Sequence, residues 1–301
     1  MKLVRFETTG GVAVGALTEN GKDVVDLARA LALSGRASEA AERFPASMSA
    51  FLARGDAGLA DAGAVLAEAP DGARRPLEEM RLLAPVGDPP KIICIGQNYR
   101  DHCEEQHQPI PERAIIFSKF ATALNKPGGN IVLPKLSSQV DYEAELAFVI
   151  GGPGGGGRDI PEAEAMRHVA GYMCANDVSA RDIQFGDKQW VRGKTFDTFF
   201  PTGPYLVTAD EIPDPQALDI SLTLNGQTMQ RSNTRNLIFD VPYLVAYLSQ
   251  VMTLQPGDIV STGTPGGVGV FRNPPVFLKP GDTVSVTIAG LGTLTNPVVA
   301  A

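Results

Sequence analysis

Apolar and polar positions alternate through residues 1 to about 27, and the alternation turns at Glu19-Asn20-Gly21-Lys22, where Asn-Gly favours a tight hairpin. From 28 to 69 the period changes. The stretch is rich in alanine, and Phe44, Met48, Phe51 and Leu52 fall at helical spacing, so two or three short helices are expected. Ala84-Pro85-Val86-Gly87-Asp88-Pro89-Pro90 has the composition of a linker. Beyond it come short β segments punctuated by Gly and Pro, beginning with the run Lys91-Ile92-Ile93-Cys94-Ile95-Gly96. One helix is predicted over 161–168 with Pro161 in its first turn. Another is predicted over about 241–251, with Pro242 near its start and Leu244, Leu248 and Val251 on one face. Pro256-Gly257-Asp258 and Pro280-Gly281-Asp282 sit in two near-copies and mark turns between strands. The pattern predicts an α+β, mainly β chain: a small N-terminal domain over 1–80, a linker over 81–90, and a β-rich roll or sandwich over 91–301.

The bulk numbers narrow the partners. A formal net charge of -8 argues against nucleic acid or an anionic membrane surface, and an anionic substrate would need local cations or a metal. No stretch approaches 18 consecutive apolar residues, and the opening Met1-Lys2-Leu3-Val4-Arg5-Phe6-Glu7 lacks a signal-peptide core. The three cysteines, Cys94, Cys103 and Cys174, have neither zinc-site spacing nor an even count, so a reducing compartment, the cytoplasm, is expected.

Chemistry concentrates around Asp141-Tyr142-Glu143-Ala144-Glu145, at the entrance to an apolar strand. Side chains two apart on a strand share a face, roughly 7 Å from one another. Two buried carboxylates on one face repel, and a hard divalent cation with oxygen ligands relieves the repulsion. A third acid, Asp177, ends the apolar run Gly171–Asn176; it is a turn or cap residue, or it completes a three-carboxylate site. His102 and Glu105 lie at i,i+3, so on a helix the carboxylate would orient the imidazole as a general base; a casual ion pair on a solvated turn is the alternative. His168 is expected to cap a helix or face solvent. Lys119 interrupts an apolar stretch and Lys194 follows Gly193, positions suited to an oxyanion or a substrate carboxylate. Gly193-Lys194-Thr195 imitates the end of a phosphate loop, but position 188 is lysine where that loop needs glycine, and the nucleotide reading is discarded. The glycine run 151–157 is expected to be a flexible loop.

Together these stretches resemble the fumarylacetoacetate hydrolase family. The resemblance is carried by Gly96-x-Asn98-Tyr99-x-x-His102-x-x-Glu105, Phe117-x-Lys119, Asp141-x-Glu143-x-Glu145, Asn176-Asp177-x-x-x-Arg181-Asp182-x-Gln184, Gly193-Lys194-Thr195-Phe196-Asp197-Thr198, Pro256-Gly257-Asp258 and Gly263-Thr264-Pro265-x-Gly267-Val268-Gly269. The run from Thr264 to Lys279 looks most like the family's domain-containing protein 2 group. The resemblance implies a mixed β-sandwich roll, a homodimer, and Mg²⁺ or Mn²⁺, with Ca²⁺ as a substitute. Glu143, Glu145 and Asp177 would be the metal ligands, His102 and Glu105 a water-activating dyad, and Lys194 the group that stabilises negative charge. Gln184 and Thr264 would contact a small anionic keto acid. One departure matters: longer fumarylacetoacetases have a further ligating Asp shortly before the dyad histidine, where this chain reads Ile95-Gly96-Gln97.

The leading expectation is hydrolysis of a C–C bond in an acylpyruvate or related 1,3-diketo acid. Oxaloacetate decarboxylation or tautomerisation, or isomerisation of a hydroxymuconate-like diacid, would use the same groups. A non-catalytic binding protein with a structural cation is the alternative from another class.

Overall fold

The computed structural model describes residues 1–301. The alternating N-terminal segment folds as β1 (Lys2–Thr8), β2 (Gly11–Leu17) and β3 (Asp23–Asp26), with the Asn20-Gly21 turn between β2 and β3. The alanine-rich stretch makes four α-helices rather than two or three: α1 (Leu27–Leu31), α2 (Ala37–Arg43), α3 (Met48–Leu52) and α4 (Gly55–Ala67). Gly35, at φ 85°, breaks the run between α1 and α2, and Ser47 caps α3 by accepting from Ala50 N. A short β4 (Arg74–Pro76) returns to β3.

The rest of the chain supplies β5 (Ile92–Gly96), β6 (Ile115–Ser118), β7 (Ile131–Leu133), β8 (Ala144–Ile150), β9 (Val169–Asn176), β10 (Phe200–Thr208), β11 (Asp219–Leu224), β12 (Gln227–Asn233), β13 (Ile259–Ser261), β14 (Thr283–Ile288) and β15 (Gly292–Ala300). Between these strands lie α5 (Arg100–Glu105), α6 (Arg181–Gly186), α7 (Val191–Lys194) and α8 (Val241–Ser249). One large mixed sheet runs β4-β3-β2-β1-β10-β9-β8-β13-β5-β6, and a second runs β12-β11-β14-β15-β7. The N-terminal strands therefore continue the large sheet, since β1 pairs with β10. Most of the apolar side chains of residues 1–80 join the core of the rest of the chain: Leu3, Val14, Met48 and Phe51 share an apolar cluster with Ile92, Val149, Met173 and Ile259, while Val4, Phe6, Leu17 and Val24 form a small cluster of their own.

Strand β8 is buried on both faces, which is why its sequence is a continuous apolar run rather than an alternation. Ala144, Leu146, Phe148 and Ile150 enter the cluster shared with the second sheet; Ala147 and Val149 face the N-terminal helices. Glu143 and Glu145 belong to that second face by parity, beyond the reach of those helices, and this leaves room for a cleft.

Four expectations need correction. Helix α8 is capped by Asp240, whose side chain accepts from Tyr243 N, and ends before Val251, so Val251 is exposed while Leu244 and Leu248 are buried. The segment Glu162–His168 is a 3₁₀ helix, preceded by Pro161 in extended conformation. The glycine run 151–157 is stitched in place by bridges from Gly151 to Gly155 and from Gly157 to Leu254. His168 neither caps a helix nor faces solvent fully: its Nδ1 bonds the Gly155 carbonyl at 3.0 Å, and its ring fills the space a side chain at Gly154 would need.

Candidate active site

Strands β8 and β9 pair antiparallel with Ala144 opposite Asn176, so Glu143 and Asp177 meet at the open end of the ladder. Asp177 N donates to the Glu143 carbonyl at 2.9 Å, and the Asn176 side-chain carbonyl accepts from Glu143 N at 3.0 Å. Residues opposite on a strand pair share a face, as do residues two apart on one strand. Asp177, Glu143 and Glu145 thus converge, and their nearest carboxylate oxygens lie within 4.8 Å of one another. All three are at most 5% exposed.

Cations surround this acidic floor unevenly. Lys194, at the end of α7, bridges Glu143 Oε2 at 2.7 Å and Asp177 Oδ2 at 2.8 Å. Arg181, first residue of α6, reaches Glu143 Oε1 at 2.7 Å, Asp141 Oδ2 at 2.9 Å and Gln184 Oε1 at 2.9 Å. Lys119 is buried beneath the floor, 2.6 Å from Asp177 Oδ1, and donates to the carbonyls of Val178, Phe199 and Lys194. Glu145 contacts no cation; its Oε2 accepts from Ser261 Oγ and from Gly263 N at 3.0 Å.

The titration of these groups follows from that unevenness. Burial pushes the Glu143 carboxyl up, but Lys194 and Arg181 outweigh it and hold it at about 2. Burial pushes Glu145 well above the usual carboxylate range, and the charges of Asp177 and Glu143 push the same way. Burial lowers Lys194, yet Asp177 and Glu143 more than compensate and keep it an ammonium. Burial also lowers Lys119, and Asp177 does not fully offset it.

Asp141, Glu143, Glu145 and Asp177 against Lys119, Arg181 and Lys194 leave one carboxylate in excess among buried groups. A divalent cation fits this donor set. The ligands are all hard oxygens, Glu145 faces no positive charge, and the buried Asp177 Oδ1 has no neighbour to pair with except the Lys119 ammonium. Asp141 has no such freedom: its oxygens accept from Tyr142 N, Gly269 N, Val270 N and Arg181 Nε. It anchors a loop instead of offering a ligand.

Above the floor, α5 places His102 Nδ1 3.3 Å from Glu105 Oε2. Glu105 Oε1 accepts from Gly267 N at 2.9 Å, and Asp101 accepts from Ser232 Oγ and Gly266 N. Asn98 pins the approach to α5 by bonding Phe239 and Thr262. The dyad is thus hung from the 264–271 loop that Asp141 holds.

Floor and roof enclose a cleft of about 160 Å³, lined among others by His102, Glu143, Glu145, Arg181, Lys194 and Thr264. Gln184 also lines it, with its side-chain oxygen bonded to Arg181. The Thr264 hydroxyl donates to the Ala144 carbonyl and accepts from Gln230, so its hydrogen-bonding capacity is largely used within the protein. Lys119, expected to meet substrate, does not line the cleft. Arg181 is a site residue to which sequence reasoning gave no role, although it stands in the motif that carries the family resemblance.

The fumarylacetoacetate (FAA) hydrolase C-terminal family profile matches residues 91–299. Oxaloacetate tautomerase FAHD2A, mitochondrial, of Bos taurus is 48% identical over 99% of this chain and 92% of its own length. Among solved structures, 5-carboxymethyl-2-hydroxymuconate delta-isomerase from Mycobacterium smegmatis is 37% identical with a TM-score of 0.77, covering both chains fully. Maleylpyruvate hydrolase from Sphingobium sp. SYK-6, solved with manganese(II) and pyruvate, is 33% identical with a TM-score of 0.79, again over the full length of both. The mitochondrial relative overturns the expectation of a cytoplasmic protein. The three cysteines are free and buried, and free thiols do not distinguish the cytosol from the mitochondrial matrix. With the profile spanning residues 91–299 and the relatives spanning nearly the whole chain, this chain belongs to the fumarylacetoacetate hydrolase family.

Proposed function

We propose that the chain interconverts the keto and enol forms of oxaloacetate or a closely similar 2-oxo diacid, with a divalent cation held by Glu143, Glu145 and Asp177. The observation that carries this reading is the buried acidic floor facing an imidazole–carboxylate pair across a small cleft. Similarity to an oxaloacetate tautomerase along nearly the whole chain supports the choice of substrate.

Tautomerisation breaks one C–H bond beside the 2-oxo carbon and places a proton on the carbonyl oxygen; no water is consumed. With Glu105 holding Nδ1, His102 Nε2 is the nitrogen that takes the C3 proton, a step worth about 10²–10⁴-fold. A bound divalent cation supplies Lewis-acid stabilisation of negative charge on the 2-oxo oxygen. Lys194 stays charged and adds to the positive field at the floor. Arg181 and Gln184 line the side of the cleft and offer polar contacts to a carboxylate. Lys119 acts through Asp177, which it holds from beneath.

The hydrolytic reading, with His102 activating water against an acylpyruvate, is supported by similarity to the maleylpyruvate hydrolase. Both reactions are measured on the purified protein loaded with Mg²⁺ or Mn²⁺. Loss of the enol absorbance of oxaloacetate faster than the buffer rate, without release of pyruvate, is the expected result. Cleavage of acylpyruvates with no acceleration of the oxaloacetate equilibrium would replace tautomerisation with hydrolysis.

A further inference from the structure

Trp190 is the only tryptophan in the chain. It immediately precedes α7, and its carbonyl accepts from Gly193 N and Lys194 N. Its ring meets Phe117 edge-on, with centroids 5.5 Å apart and planes at 68°. On its other side it lies against Gly96, where an added Cβ would overlap the ring carbon Cζ3. The ring and the glycine are therefore a matched pair: the indole occupies the volume that any side chain at 96 would claim.

The cleft's other aromatic rings differ. Phe185 is 58% exposed and Phe271 39%, so both present much of their surface to solvent. Trp190 is half-buried and held on two sides, by the β5 backbone and by Phe117. Phe117 in turn lies under the Lys194 ammonium, 5.1 Å from its ring centre. This places a fixed apolar wall next to the charged floor. A floor that fixes a 2-oxo acid by charge leaves its far end to meet whatever wall is closest.

We infer that Trp190 sets the length of 2-oxo acid the cleft accepts, confining it to short diacids and excluding longer ones by its ring. The inference rests on the reading of the site as a 2-oxo acid site and adds the group that selects among them. Closely packed pockets discriminate single methylenes by about 10–200-fold, which is the scale expected for a fixed indole wall. Trp190 transfers no proton, so its removal changes which acid binds and leaves the anchoring of the shortest one intact.

The test titrates Mn²⁺-loaded wild type, Trp190→Ala and Trp190→Phe with oxalate, 2-oxoglutarate and 2-oxoadipate by calorimetry. In the wild type the Kd should rise steeply from the shortest acid to the longest. In Trp190→Ala the ratio of the 2-oxoadipate Kd to the oxalate Kd should fall at least about tenfold, with the oxalate value within about threefold of wild type. Trp190→Phe should shift the ratio less and in the same direction. Trp190→Leu replaces the alanine variant if circular dichroism shows that the alanine variant does not fold. A ratio within about twofold of wild type in the folded opening variant overturns the inference. Wild-type protein that binds these acids but leaves oxaloacetate untouched sinks the proposed reaction alone, and the ratio still decides the role of Trp190. Wild-type protein that binds none of the three overturns both.

Discussion

The floor and the roof of the cleft are built on opposite principles. The floor stands on the ends of two central strands, where the β8–β9 register alone brings Glu143 and Asp177 side by side. Its charges are buried, and all but Glu145 are tied to Lys194, Arg181 and Lys119. The roof is a six-residue helix that no regular pairing fixes. Its position comes from contacts far away in sequence, above all Gly267 N to Glu105 and Ser232 to Asp101. Regular structure is used where charge must be concentrated against its own repulsion. A clamped short helix carries the His102–Glu105 pair, to which the proposed reaction assigns the proton transfer. Burying several charges is costly unless each has a partner, and only a rigid frame holds so many partners at once. An imidazole needs one orienting bond, which a short helix supplies within its own turn.

The sharpest way to break this comparison is to remove charge from the floor. Glu145→Gln should lower turnover by more than roughly 10⁴-fold, since a cation's contribution of several kcal/mol depends on its ligands. Mn²⁺ should raise the melting temperature of the wild type by several degrees at roughly a hundredfold excess over its Kd, and should leave the variant unmoved. Equal thermal shifts in both proteins would show that Glu145 is not a ligand. Arg181→Met comes next. It leaves Asp141 without a cation and Glu143 with Lys194 alone, and breaking a buried pair costs about 3–5 kcal/mol, measurable by urea unfolding. A loss below about 1 kcal/mol would mean the floor does not need its clamp.

On the roof, His102→Ala should reduce turnover about 10²–10³-fold while metal binding, followed by thermal shift, stays at the wild-type level. A parallel loss of metal binding would merge roof and floor into one unit. The smallest effect lies outside the cleft, at Asp258, which is buried near the N-terminal helices and paired to Lys91 at 2.7 Å. Burial raises its carboxyl in spite of Lys91. A carboxyl raised on folding binds its proton more tightly in the native state, so it stabilises below the ordinary aspartate range and loses that contribution as pH rises. From about pH 4 upward, the melting temperature of Asp258→Asn should therefore gain on that of the wild type by about 1–3 °C. A difference that stays flat with pH would show that Lys91 fully offsets the burial.

Much of the floor is legible in the order of residues alone. The spacing of Glu143 and Glu145 at the head of an apolar run defines their shared face, and the family resemblance brings in Asp177. Arg181 is not legible in the same way, because nothing local distinguishes an arginine that will be buried from one on a solvated helix. Lys119 shows the reverse: an apolar setting points to chemistry with substrate, whereas its ammonium lies beneath the floor and serves Asp177. Asp141 stays outside the ligand set, and its full complement of four donors explains why. Trp190 carries no local signal at all, since its place depends on Gly96, far off in the chain.

The sequence by itself determined what depends on neighbours along the chain: the hairpin at Asn20-Gly21, the helix that starts beside Pro242, the same-face glutamates, and the i,i+3 approach of His102 to Glu105. Only the tertiary structure decided that residues 1–80 extend the large sheet, which cations neutralise which carboxylates, and what walls the cleft. The reason is physical. Period and capping are set by backbone geometry within a few residues, while burial and charge pairing are set by whichever distant segments fill the remaining space.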